Sequence, residues 1–205
     1  MARTRADRVG RIDGVVTAVV AENHDPEGLG RVQVAFADPK LKQSGWARVA
    51  TPMAGDGRGV YLLPEVGDQV LVAFEQGDSR SPFVVGALWG ENEPPPERNE
   101  DGRNNRRTIR SRSGHLIRLD DTEGAERVEV VDSTGGTSVV LDSAARTITV
   151  EAEGDLTIRS KGGTLRLQGL RVEIKAAAVI DARGPQVQVV GDAVTSIKGG
   201  IVTIN

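Results

Sequence analysis

A chain of 205 residues with no cysteine and a formal net charge of −3 rules out disulfides and cysteine-based zinc sites, and it lacks the basic excess of a dedicated nucleic-acid binder. Its 38% apolar and 27% charged residues are those of a water-soluble folded chain, neither membrane-spanning nor disordered. Only 3% aromatic residues against 25 glycines favour thin β structure over a helical bundle.

Residues 1–13 form a basic lead-in with Arg3, Arg5, Arg8 and Arg11 and no apolar run behind them, so neither a signal peptide nor a transmembrane span is expected. This arm is either an electrostatic docking element or a solvated tail. From Gly14 to Gly90 come strand-like runs between turn residues: Val15–Val20, Arg31–Ala37, Trp46–Thr51, Gly59–Leu63, Gln69–Phe74 and Phe83–Leu88. Five or six short strands at this spacing predict a small closed barrel. Asp25-Pro26 with Gly28 and Gly30, Pro64 with Gly67-Asp68, and Gly77-Asp78 supply the turns, and Gly86 reads as a strand position where a side chain would not fit.

Glu91 to Arg107 holds no apolar residue and includes Pro94, Pro95 and Pro96, so it reads as an extended linker between domains with nothing to bury. Residues 108–142 alternate again, with turns at Asp120–Gly124 and Ser133–Gly136, and form the wider neck of a repetitive C-terminal segment. In that segment, from residue 147 to 205, one phrase recurs: two apolar residues flanking a polar one, then a glycine or small polar corner. The pairs are Ile148/Val150, Leu156/Ile158, Leu165/Leu167, Val172/Ile174, Ile180/Ala182, Val187/Val189 and Val202/Ile204, the first six starting 7 to 9 residues apart. Each pair marks the inward face of a short strand, and the glycines permit sharp corners. Two inward side chains per strand cannot enclose a core alone, so the pattern predicts a β-helix made by three chains around one axis. Its expected trimer core is Ile148, Val150, Leu156, Ile158, Leu165, Leu167, Val172, Ile174, Val187 and Val189.

The order Asp25-Pro26, Gly28, Gly30, Arg31-Val-Gln-Val34, then Pro64-Glu-Val-Gly-Asp68, Val70–Phe74, Gly77-Asp78, Pro82, Val84, Gly86 and Leu88-Trp89 resembles the OB-fold domain of phage baseplate assembly protein V and of the VgrG spikes of type VI secretion. Ser113-Gly-His-Leu-Ile-Arg-Leu-Asp-Asp121 with Thr122–Glu126 is similar to the segment joining that barrel to the triple-stranded β-helix in those spikes. The resemblance implies an all-β fold, an OB barrel followed by an intertwined triple-stranded β-helix in a homotrimer. It also implies the central, membrane-puncturing spike of a contractile injection machine. The barrel end would sit on a separate baseplate hub protein. A PAAR-like tip protein would dock on Ile201, Val202, Ile204 and Asn205, where the repeat reaches the end of the sequence with no clustered histidines. Assembly would take place in the bacterial cytoplasm, with only transient contact with a target membrane.

No catalytic, cofactor or metal site is expected. Ser113, His115 and Asp120 lie on one strand and its turn without a nucleophile elbow, and His24 and His115 are too far apart in sequence to suggest a ligand set. Gly55–Gly59 lacks the lysine and helix of a phosphate loop and reads as a barrel loop. The repeats also lack the spaced aspartates of calcium-binding β-rolls. Two other functions remain in view. A β-helical receptor-binding or glycan-processing fibre would need a groove with paired carboxylates, and the short repeats offer no insertion to build one. A nucleic-acid-binding OB barrel would use exposed aromatics along a basic groove. Most of Phe36, Trp46, Tyr61, Phe74, Phe83 and Trp89 fall on strand positions that a small core would use.

Overall fold

The structure is a computed structural model that describes residues 11–39, 41 and 43–203. The expectations for Arg3, Arg5, Arg8, Ile204 and Asn205 lie outside the described residues. Two compact units divide the chain, one ending at Glu153 and one beginning at Gly154.

The first unit opens with β1 (Val15–Glu22), β2 (Gln33–Phe36), β3 (Arg48–Val49), a tight hairpin of β4 (Ala54–Gly55) and β5 (Arg58–Gly59), then β6 (Gln69–Phe74) and β7 (Pro82–Ala87). The sheet order is β2-β1-β6-β7-β3, antiparallel except for the parallel β3–β7 pair. An antiparallel bridge between Val32 and Ala47, with reciprocal hydrogen bonds of 3.0 and 2.7 Å, joins β2 to β3 and closes the ring. A closed five-strand ring with one parallel pair is OB-fold topology, and closure leaves no free sheet edge.

Alternation decides what fills this ring. Ala18, Val20, Val32, Val34, Ala47, Val70, Val72, Phe74 and Val84 are buried, with Ile12, Val16, Phe36, Val49 and Leu63 packed against them. The turns form as their residues dictate. Gly28 and Gly30 adopt positive φ, and the Asp25 carboxylate accepts hydrogen bonds from the backbone of Glu27, Leu29 and Arg31 and from the Arg31 guanidinium. That guanidinium first, and the backbone donors after it, hold the Asp25 carboxyl well below the usual carboxylate range.

Three expectations are corrected. Gly59–Leu63 is not a barrel strand: its first residue closes the β4–β5 hairpin, and Tyr61 and Leu62 point into solvent. Gly86 has open space where a Cβ would stand, beside a register shift between β6 and β7. Among the six aromatic residues only Phe74 is buried, because a ring this narrow is filled by valine and alanine; Tyr61 and Trp89 are exposed.

A second sheet follows in the same unit: β8 (Arg106–Arg110), β9 (Leu116–Asp120), β10 (Arg127–Val131), β11 (Ser138–Asp142) and β12 (Thr147–Glu151). It is an antiparallel meander in the order β12-β11-β10-β9-β8. The Pro-rich segment before β8 is tied to it through Glu97, which accepts hydrogen bonds from Thr108 Oγ1 at 2.9 Å and Arg118 Nε at 3.0 Å. In the second unit, Gly154 onward, the described residues run as bends and irregular segments without a strand ladder.

Candidate functional site

The register of the meander sorts its side chains by chemistry. Paired residues share a face, so one face carries the rows Ile109-Ile117-Val130-Val139-Val150 and Arg107-Leu119-Val128-Leu141-Ile148. Nine of these ten residues are apolar, and eight of the nine are exposed.

The opposite face is a charged lattice. Asp120 is buried and accepts from Arg106 Nε at 3.0 Å and from the backbone and hydroxyl of Thr122. Those bonds, the Thr122 hydroxyl first, outweigh burial and hold Asp120 down to about 2. Arg118 bridges Glu97 and Glu129, and Arg127 Nε lies 3.0 Å from Glu129 without hydrogen-bond alignment. Burial pushes the Glu97 carboxyl up, but Arg118 and Thr108 more than offset it, so it lies below its ordinary value. The chain's own strap thus fastens on the polar face and leaves the apolar face open.

The predicted core residues divide between the two units. Ile148 and Val150 lie on β12, on the apolar face and antiparallel to Leu141 and Val139. Leu156, Ile158, Leu165, Leu167, Val172, Ile174, Val187 and Val189 lie in the second unit, all more than half exposed, as are Ile201 and Val202. The sequence reading missed seven residues of the neck face: Ile109, Ile117, Leu119, Val128, Val130, Val139 and Leu141. Their alternation was visible strand by strand, but only the register shows that they align into one surface.

The barrel carries its own exposed features. The Arg31 guanidinium stands 5.9 Å over the Trp46 ring, and that of Arg48 4.3 Å over Phe83. Carboxylates answer these arginines, Asp25 and Glu27 for Arg31 and Glu75 for Arg48, so the strip is not a net basic groove. His24 lies in the irregular stretch just after β1, and His115 Nδ1 accepts from Ser133 N at 3.1 Å. Among the described residues no group of three or more His, Asp or Glu side chains is arranged to hold a metal ion, and no helix is long and apolar enough to cross a membrane.

Comparison with known proteins agrees with this geometry. Residues 16–89, spanning β1 to the end of β7, match the type VI secretion system/phage-baseplate injector OB domain. The chain is similar to the type VI secretion system spike protein VgrG4b of Pseudomonas aeruginosa, 32% identical over 60% of this chain and 16% of the relative. It is 26% identical to the spike protein VgrG1a of the same species over 67% of this chain and 24% of the relative. A shorter match, 30% identical over 42% of this chain and 9% of the relative, is to the actin cross-linking toxin VgrG1 of Vibrio cholerae. The matched region thus makes up between about a tenth and a quarter of these relatives' length. The chain is therefore an all-β protein that carries an injector OB domain and resembles type VI secretion system spike proteins.

Proposed function

We propose that the chain is the central spike of a contractile injection machine, working as a homotrimer with a mechanical rather than enzymatic role. One observation carries the reading. Within one chain, eight apolar residues of the neck face are exposed, as are Leu156, Ile158, Leu165, Leu167, Val172 and Ile174 of the second unit. Burying one such side chain is worth about 1.5–3 kcal/mol, so association is the state that this stripe favours.

Three copies wound about one axis would place Leu156, Ile158, Leu165, Leu167, Val172 and Ile174 inward and satisfy the second unit's backbone across chains. A rod with no free lateral edge transmits axial force to a small contact area. In this arrangement residues 14–90 form the barrel on a separate hub, 108–205 form the neck and spike, and the basic lead-in lies on the hub side. A PAAR-like partner docks near Ile201 and Val202, and the target membrane is met only on contraction. The particle assembles in the bacterial cytoplasm.

Size exclusion with light scattering tests the core of this reading. Three chains per particle are expected, and a monodisperse monomer would overturn it. Co-expression with a PAAR-like protein should then recover one partner per three chains, and recovery that survives loss of residues 201–205 would place that partner elsewhere.

A further inference from the structure

Between β3 and β6 the barrel carries an apolar prong made by Met53, Val60, Tyr61 and Leu62, with Leu29 beside it, all at least 40% exposed. Its backbone is tied down. Val60 N donates to Met53 O at 3.0 Å, and Thr51 Oγ1 donates to Val60 O at 2.6 Å. Gly59 has φ +150°, and a Cβ there would meet Met53 O at 2.5 Å, so the hairpin requires glycine. A Cβ on Gly30 would stand 3.6 Å from the Tyr61 ring, which therefore lies against that turn. A braced backbone with apolar side chains facing water marks an interaction surface.

Topology says which partner it meets. Strands β1 and β6 define two ends of the barrel. At one end the chain comes in, with Ile12 N donating to Gly77 O at 3.0 Å. The other end holds Glu22, Gln69 and Ala87, and there Asn23 Nδ2 donates to Pro64 O at 3.2 Å, at the base of the prong. A six-residue strand separates the two ends by roughly 20 Å, so a hub on the N-terminal end is remote from the prong. The neck is close instead: Arg112, in the turn between β8 and β9, reaches Glu65 at 2.8 Å. That turn borders the apolar row that begins with Ile109 and Ile117, where a cavity of about 430 Å³ opens beside His115 and Val139. The same chain's Tyr61 and Leu62, 75% and 68% exposed, do not fill it.

Resting on the trimeric reading above, we propose that the prong of each chain docks into this notch in the neck of a second copy. Tyr61 and Leu62 would cover Ile109, Ile117 and Val139 of the neighbour. Such a contact is heterologous, and three of them close into a ring. The barrels would then hold the top of the spike together rather than hang from it.

Because the chain has no cysteine, paired substitutions report on this contact directly. Full-length Leu62→Cys/Val139→Cys chains, treated with a short bis-maleimide, should run mainly as covalent dimers and trimers under denaturing conditions. Leu62→Cys/Thr149→Cys, which places the second thiol on the opposite face of the neck, should stay monomeric. Leu62→Asp should also lower the melting temperature of the trimer by several degrees. If the wild-type chain is itself a monomer in solution, the trimeric reading fails and this one with it. If the wild type is a trimer but the Leu62/Val139 pair leaves only single chains and Leu62→Asp melts like wild type, the docking alone is overturned.

Discussion

The barrel and the spike segment are written with the same alternation of apolar and polar residues, yet they bury it in opposite ways. In the barrel, β1, β2, β6 and β7 curl until Val32 bridges Ala47, and the inward valines meet one another within one chain. In the neck the strands form an open meander whose apolar face is exposed, and beyond Gly154 the described alternating residues lie exposed without a ladder. Alternation therefore specifies a face to be buried, while closure decides whether the chain can bury it alone. The barrel buries its own apolar face, whereas the segment beyond Gly154 leaves its apolar residues exposed within one chain.

The largest expected effect breaks the dependent half. In the proposed trimer, Ile158→Asp would set three carboxylates around one axis, an uncompensated burial of charge. Light scattering should show loss of the trimer, while Arg159→Ser, one residue along and expected to face outward, should assemble as wild type. Equal assembly of the two variants would show that the inward and outward assignments are reversed.

A smaller effect tests the self-sufficient half. Val72 is fully buried in the barrel, and Val72→Ala should cost about 2 kcal/mol by lost packing and a residual cavity. In urea titrations followed by barrel fluorescence the loss should not change with protein concentration. On the proposed trimer, the unfolding of the spike segment should shift with concentration, because its folded state would then be an association. A concentration-dependent loss at Val72 would mean that the barrel also needs neighbours.

A third, milder effect sharpens the boundary between the two regions. Asp120, in the neck lattice, is held down to about 2 in the folded state against an ordinary 3.8. A depressed carboxylate stabilises the fold above its unfolded value and loses that contribution as pH falls through the folded one. Melting temperatures should therefore fall as pH drops from about 4 to about 2, and Asp120→Asn should start lower and respond less over that window. An unchanged acid profile in the variant would remove Asp120 from the account.

The smallest expected effect is none. If the exposed arginine and aromatic strip of the barrel served nucleic acid, affinity would be high at low salt and fall steeply as salt rises. Titration with a labelled oligonucleotide at moderate salt should show no saturable binding. Tight binding lost on replacing Trp46 or Tyr61 would reopen the nucleic-acid reading.

The β class, the barrel and its turns were legible in the residues, because local chemistry dictates them. Asp25, Gly28 and Gly30 fix one turn, Gly67-Asp68 another, and period-2 valines mark the barrel's inward face. The alternation of β9, β10 and β11 was equally plain, but no single strand shows how it aligns with the next. Register turned Ile109, Ile117, Val130, Val139 and Val150 into one row and set Arg118 between Glu97 and Glu129. The strap was hidden for a related reason: a segment without apolar residues gives no burial signal, and Glu97 is held by charge and hydrogen bonds that only proximity creates. Gly59–Leu63 misled because a β-prone run is read by its propensity, whereas its position outside the barrel ladder is set by the hairpin before it. Pattern determines which side of a strand seeks cover; only the three-dimensional pairing decides what covers it.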